Sequence, residues 1–205
     1  MKTQILSADS PDAILVCLKV LQAGRLVAIP TDTIYGVGAL AFDEKAVKSI
    51  YVAKGRPVEK AIPILLGDAD ELPKIASRVP VMARRLAARF WPGPLTLVVP
   101  KKVTLPEAIS STETIGVRVP DNSIARALLR SSGPMAVTSA NRSGGLSPST
   151  AEEVFLQLNE HIDLILDGGR TPGGIASTVV DCTTSEPLIL RAGPISLNEI
   201  KSALG

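Results

Sequence analysis

Residues 26–38, Leu26-Val27-Ala28-Ile29-Pro30-Thr31-Asp32-Thr33-Ile34-Tyr35-Gly36-Val37-Gly38, change character at Pro30. The apolar residues before the proline read as a short buried strand. Small and polar residues follow, the kind of segment an open α/β sheet places at a strand end to receive a ligand. Further stretches repeat the theme: Lys54-Gly55-Arg56-Pro57, Thr138-Ser139-Ala140-Asn141, Ala176-Ser177-Thr178-Val179-Val180-Asp181 and Arg191-Ala192-Gly193. Taken singly, each is ordinary turn chemistry. Together, in a chain of 205 residues, they point to one shared site.

Outward from this stretch, helices and strands alternate. Ser10-Pro11 predicts the N-cap and first position of a helix running through Gln22 and closed by Gly24. Asp43 caps a second helix through Ala53, stopped by Gly55, and Pro80 opens a basic helix that ends near Trp91. Another helix is expected at Ile124–Arg130. Ser149-Thr150-Ala151-Glu152 and Ser196-Leu197-Asn198-Glu199 both fit the capping box and each open a helix. Strands are expected at Ile62–Leu66, Leu95–Val99, Ile115–Val119, Met135–Thr138, Leu164–Leu166, Thr178–Asp181 and Leu188–Leu190. Several are continuous apolar runs, which means an α/β fold with its sheet covered on at least one face. No repeat or linker interrupts residues 1–205, so a single domain is expected.

Composition narrows the chemistry. Aromatics make up 3% of the chain, which demands an aliphatic core and argues against a base-stacking RNA platform. Residues 1–102 hold 15 Lys and Arg against 9 Asp and Glu, whereas the remainder holds 7 against 11. That asymmetry suits an anionic partner for the first half, or merely a solvated face. Cys17 and Cys182 lie in apolar stretches and read as buried thiols. His161 is the sole histidine, which argues against a zinc site, a Ser-His-Asp triad or a Cys-His dyad. No apolar run reaches a membrane span, and a reducing cytoplasm fits best.

Lys54 and Arg56 flank a glycine at a predicted helix end. They either face the helix dipole or form a forked grip on phosphate oxygens. Arg118 and Arg191 follow apolar strands and are expected to project from the sheet edge. Gly36-Val37-Gly38-Ala39-Leu40-Ala41 matches a loose dinucleotide fingerprint, but Thr31 to Tyr35 separate it from the strand, so a nicotinamide site is rejected. Ser139 has no partner that would make it a nucleophile.

In this order, PTDTIYGVG, KGRP, WPGPLT, TSANRSG, ASTVVD and RAG resemble the YrdC-like family of threonylcarbamoyl-AMP synthases in its single-domain form, over about residues 10–200. The resemblance implies a twisted, mixed α/β open sheet around a large, positively charged concave cleft. It implies the joining of L-threonine, bicarbonate and ATP, with Mg2+, into L-threonylcarbamoyladenylate and pyrophosphate. Downstream threonylcarbamoyl-transferase proteins would then modify tRNA beside the anticodon. By motif position, Lys54, Arg56, Thr114, Ser139, Asn141, Ser147 and Arg191 are expected at ATP, and Thr31, Arg118, Val137 and Ser177 at threonine. Asp32 and Tyr35 are expected to shape their loop. No side chain is assigned as a nucleophile and no protein metal ligand is expected, because such a displacement relies on positioning and electrostatics. Some relatives carry a histidine where this chain has Leu65, and longer relatives have a second domain, so a lid is expected from the chain's own loops. Two rivals stay open: a non-catalytic RNA-binding module of the same fold, and a carbamoyl-adenylate synthase with another acceptor.

Overall fold

The computed structural model describes residues 2–172 and 174–205. In chain order the elements are β1 (Gln4–Ser7), α1 (Ala13–Gln22), β2 (Val27–Ile29), β3 (Gly36–Leu40), α2 (Glu44–Lys54), β4 (Ile64–Leu65), α3 (Leu72–Ile75), α4 (Val81–Phe90) and β5 (Leu95–Pro100). They continue with β6 (Thr114–Arg118), α5 (Ser123–Ser132), β7 (Met135–Ser139), α6 (Ala151–Leu158), β8 (Leu164–Asp167), β9 (Thr178–Asp181), β10 (Leu188–Arg191) and α7 (Leu197–Leu204). All the strands join one mixed sheet in the order β1-β8-β2-β3-β7-β4-β6-β5-β9-β10.

The period of two along each strand sorts side chains onto two faces. Leu95, Leu97 and Val99 of β5, Ile115 and Val117 of β6 and Ala136 of β7 enter a large core with α2, α3, α4, α6 and α7. On the other face Met135 and Val137 of β7, Leu65 of β4 and Val27 and Ile29 of β2 pack against α1 and α5. Neither β5, β6 nor β9 contributes to that second core. Their alternate residues, Thr96, Val98, Gly116, Arg118 and Val179, instead floor an open cleft. The cleft exists because two helices cover only half of that face.

Sequence and structure differ at several places. α1 starts at Ala13 rather than after Ser10. Pro11 sits instead at the second position of a turn closed by Ala13 N–H to Ser10 carbonyl (3.0 Å), which its fixed φ suits. The N-cap of α6 lies one residue later than expected and the reciprocal box is not formed: Thr150 is the N-cap, accepting from Glu153 N, while the Glu153 carboxylate accepts from Ser149 N, one residue before the cap, at 2.6 Å. β1 and the short α3 lack a strong periodic signal and were not expected. Residues 36–38, expected as part of a polar segment, belong to β3, antiparallel to β2 and β7. Its glycines hide it from propensity: a Cβ on Gly36 would lie 2.5 Å from Val137 Cγ1, and one on Gly38 2.7 Å from Val137 Cγ2. This strand also removes the loose dinucleotide fingerprint, which needs a turn and helix there.

Cys17 and Cys182 are free and buried, and burial pushes their thiols up to about 11 and about 12.

Candidate active site

The turn between β2 and β3 organises itself around one hydroxyl. Thr31 Oγ1 accepts from the backbone N–H of Thr33 (3.1 Å) and Ile34 (3.3 Å) and donates to the Ile34 carbonyl (2.7 Å). Such local bonding is what favours Thr in turns. Tyr35, fully buried, donates its hydroxyl to the Gly169 carbonyl at 2.7 Å and accepts from Gly168 N. Burial pushes that phenol up to about 12, so it is a neutral strut between the hairpin and the loop after β8. Tyr35, expected to shape this loop, braces it; Asp32, expected to do the same, has its hydrogen bond with Arg118 instead.

Arg118 ends β6 at the cleft floor, 6% exposed. Its Nε donates to the Gly93 carbonyl (3.0 Å), Nη1 to Thr33 Oγ1 (3.0 Å) and Nη2 to Asp32 Oδ1. A guanidinium has five N–H groups, so donors remain for a ligand. Burial pushes its pKa down and the nearby Arg191 adds to this, while Asp32 pulls it back up. It stays charged regardless.

Across the floor, Ser177 Oγ lies 2.8 Å from Thr96 Oγ1 and accepts from Arg191 Nη2 at 3.0 Å. Arg191 also sends Nε (3.0 Å) and Nη2 (2.8 Å) to the Ser177 carbonyl. Burial lowers its pKa. This clamp requires Gly193: a Cβ there would stand 2.3 Å from Thr178 N and 2.6 Å from Ser177 C. The turn after β10 therefore lies directly on the backbone leading into β9, which explains why the RAG and ASTVVD segments act as a unit.

The remaining wall comes from the ends of α2 and β7. Arg56 lines the cleft, its Nε on the Lys60 carbonyl (3.1 Å) and its Nη2 on the Ala61 carbonyl (2.9 Å). Burial lowers its pKa. Lys54 behaves differently. It is 2% exposed, and its Nζ donates to the carbonyls of Ser139 and Asn141. Burial pushes its ammonium down to about 7, helped by Arg56. Lys54, expected at the phosphates, here ties the end of α2 to the residues at and just after the end of β7. Asn141, expected at the nucleotide, lies in the loop that follows β7. Its Nδ2 donates to the carbonyls of Arg142 (2.7 Å) and Gly145 (2.9 Å), shaping the loop that carries Ser147.

Arg56, Ser139, Ser147 and Arg191, expected at the nucleotide, share one cleft of about 370 Å³ with Thr31, Arg118, Val137 and Ser177, expected at the amino acid. That is within the range of small-molecule sites. Thr114 is not on the wall. It lies on the same strand face as Gly116 and Arg118 but nearer the strand's beginning, its hydroxyl 3.2 Å from Thr112 Oγ1. Sequence reasoning missed Thr96, Thr33 and Gly116. The available signal was period two along LTLVV and TIGVR, which places Thr96, Gly116 and Arg118 on the face opposite the leucines and valines of the core.

A family model described as "Telomere recombination" (Sua5_yciO_yrdC) matches residues 19–193. The chain belongs to the Sua5/YciO/YrdC family. Among curated relatives, the threonylcarbamoyl-AMP synthase of Pyrococcus abyssi is 44% identical over 187 residues, covering 90% of this chain and 55% of the relative. That of Bacillus subtilis is 41% identical and covers 99% of this chain and 59% of the relative. The chain therefore spans little more than half the length of these relatives. Among solved structures, P. abyssi Sua5 complexed with L-threonine superposes with a TM-score of 0.95 at 41% identity, covering 99% of this chain and 61% of that one. Escherichia coli YciO superposes with a TM-score of 0.86 at 29% identity, covering 97% of this chain and 99% of that one. These likenesses agree with the mixed α/β sheet expected from the sequence motifs.

Proposed function

We propose that this chain catalyses the reaction for which its relatives are named, forming L-threonylcarbamoyladenylate and pyrophosphate from L-threonine, bicarbonate and ATP. The observation that carries the reading is the convergence of Arg56, Arg118 and Arg191 on one small cleft whose lining, among the described residues, holds no carboxylate. A cleft of that size lined by three guanidinium groups suits a nucleotide beside an amino acid. The relative solved with L-threonine supports the amino acid.

In this reading Arg118 receives the threonine carboxylate, and Ser177 and Thr31 border the same end. Arg56 and Arg191 face the phosphates, and Ser139 and Ser147 border the nucleotide. The threonine amine adds to the carbon of bicarbonate, with loss of water, to give a carbamate. A carbamate oxygen then attacks the α-phosphorus while the bond to the β-phosphate oxygen breaks and pyrophosphate departs. Guanidinium groups stabilise charge on the phosphates without transferring protons themselves. Mg2+ enters as part of the substrate ATP. A cytoplasmic setting, and transfer of the product to tRNA by separate threonylcarbamoyl-transferase proteins, complete the proposal. Two buried free thiols support the setting. Among the described residues no helix is long and apolar enough to cross a membrane.

The test incubates the protein with ATP, Mg2+, bicarbonate and L-threonine, and omits each in turn. Pyrophosphate and a carbamoyl nucleotide that need all four support the proposal. Product without threonine points to another acceptor. No ATP turnover, with salt-sensitive RNA binding retained, points to the binding module.

A further inference from the structure

Asp32 sits immediately behind the cleft floor. Its side chain is 11% exposed and that of its partner Arg118 is 7% exposed. Oδ1 accepts from Arg118 Nη2, while Oδ2 is buried without a hydrogen-bond partner among the described residues. A buried carboxylate oxygen left unpartnered is costly, and an asparagine could supply the single acceptor that the contact uses. The carboxylate is therefore retained for its charge and placement against Arg118 rather than for filling space.

The surroundings make that placement rigid. Asp32 lies inside the turn that the Thr31 hydroxyl pins at both Thr33 N and Ile34 N. The next residue, Thr33, holds a second guanidinium nitrogen, and the Gly93 carbonyl holds the third. All three nitrogens of Arg118 are thus held by protein groups, with Thr33 at the cleft lining and Asp32 and Gly93 outside it, and the plane of the guanidinium is set before any ligand arrives. Without Asp32, Arg118 would keep only the Gly93 carbonyl and the Thr33 hydroxyl, and the nitrogen now set by the carboxylate would lose its partner.

We infer that Asp32 is a positioning residue that aims the unused N–H groups of Arg118 into the cleft, so that they meet a substrate α-carboxylate as a planar pair. The inference rests on the threonine reading of this cleft and deepens it. Asp32 does not touch the substrate. It sets how sharply the site distinguishes a carboxylate from an uncharged group of the same size.

Calorimetric titration with L-threonine and with L-threoninamide, which lacks the carboxylate, reads that distinction directly. The wild-type chain is expected to prefer L-threonine. Asp32→Ala removes the aim, and Asp32→Glu keeps the charge but moves it by one methylene. Each is expected to lower the preference roughly tenfold or more, the scale on which a misplaced group loses its contact. Asp32→Asn, which keeps shape and one acceptor, is expected to recover part of it. ATP affinity, read at the other end of the cleft, stays within about twofold in all three, which general loosening of the fold would not allow. Should Asp32→Ala fail to fold, Asp32→Glu decides alone, with circular dichroism to confirm its fold. A wild type that binds neither compound refutes the threonine reading itself. A wild type that prefers L-threonine, with Asp32→Glu keeping the full preference, refutes the role of Asp32 alone.

Discussion

Lys54 offers a direct test of burial, because its charge is set by the fold rather than by a ligand. Its amine has an ordinary pKa of 10.5 and is pushed down to about 7 in the folded chain. Between those values the unfolded chain binds nearly one proton more than the folded chain. Stability therefore rises with pH across the window, by about 1.4 kcal/mol per pH unit. The cost of burying the charge is full below about 7 and relieved above 10.5. The perturbation is Lys54→Met, which keeps the stem but does not titrate. Urea unfolding of both proteins at pH 7.5, 8.5 and 9.5 gives a difference in stability from which all other titrations cancel. Wild type is expected to gain about 2.5 kcal/mol on the variant between the first and last pH. The variant also leaves the Ser139 and Asn141 carbonyls without their donor, a pH-independent loss of about 1–3 kcal/mol. A difference that stays constant or shrinks as pH rises would refute the claim that this amine is desolvated.

Other perturbations follow from single contacts. Gly193→Ala forces the turn after β10 off the Ser177–Thr178 backbone; a loss of about 1–3 kcal/mol by thermal unfolding and weaker ATP binding by calorimetry are expected. Asp68 accepts from Arg130 Nε and Nη2 (2.6 and 2.7 Å) and from Arg126 Nη2 (2.6 Å), and these guanidinium groups hold its carboxyl well below the usual carboxylate range. Its side chain is 38% exposed, so screening leaves about 1 kcal/mol at neutral pH. That contribution is present above the ordinary 3.8 and is lost as pH falls through the lower folded value, so the stability gap between wild type and Asp68→Ala narrows on acid titration. Ser196→Ala removes the acceptor for Glu199 N and half of the α7 capping box, expected to cost about 1 kcal/mol in urea unfolding without changing threonine binding.

What was legible in the sequence follows local physics. Asp43 and Gly55 bound α2 as expected, the aspartate accepting from Ala46 N and the glycine adopting φ 61°. Apolar runs became strands because nothing else buries them. Arg118 and Arg191 could be placed at strand ends by counting residues from those runs. β3 was not legible: it is defined by what crosses it, since Val137 occupies the space that side chains on Gly36 and Gly38 would need. The partner of that crowding lies a hundred residues further along the chain, where no local pattern reaches it.

Lys54 and Arg56 show the same limit at the site itself. From sequence they are equivalent cations, two residues apart at a helix end. What separates them is the end of β7, which approaches α2 so that the Ser139 and Asn141 carbonyls surround one amine and leave the neighbouring guanidinium at the cleft. A compact ammonium suits such a carbonyl cradle, whereas a planar fork can spend Nε and Nη2 on Lys60 and Ala61 and still present an edge to a ligand. Exchanging the two side chains would therefore fail at both positions. Arg in place of Lys54 would bring a planar fork to two carbonyls that now converge on one amine, and Lys in place of Arg56 would have one nitrogen for two carbonyls and the cleft together. Identity at each position is dictated by the geometry of the acceptors, and that geometry is a property of the assembled sheet.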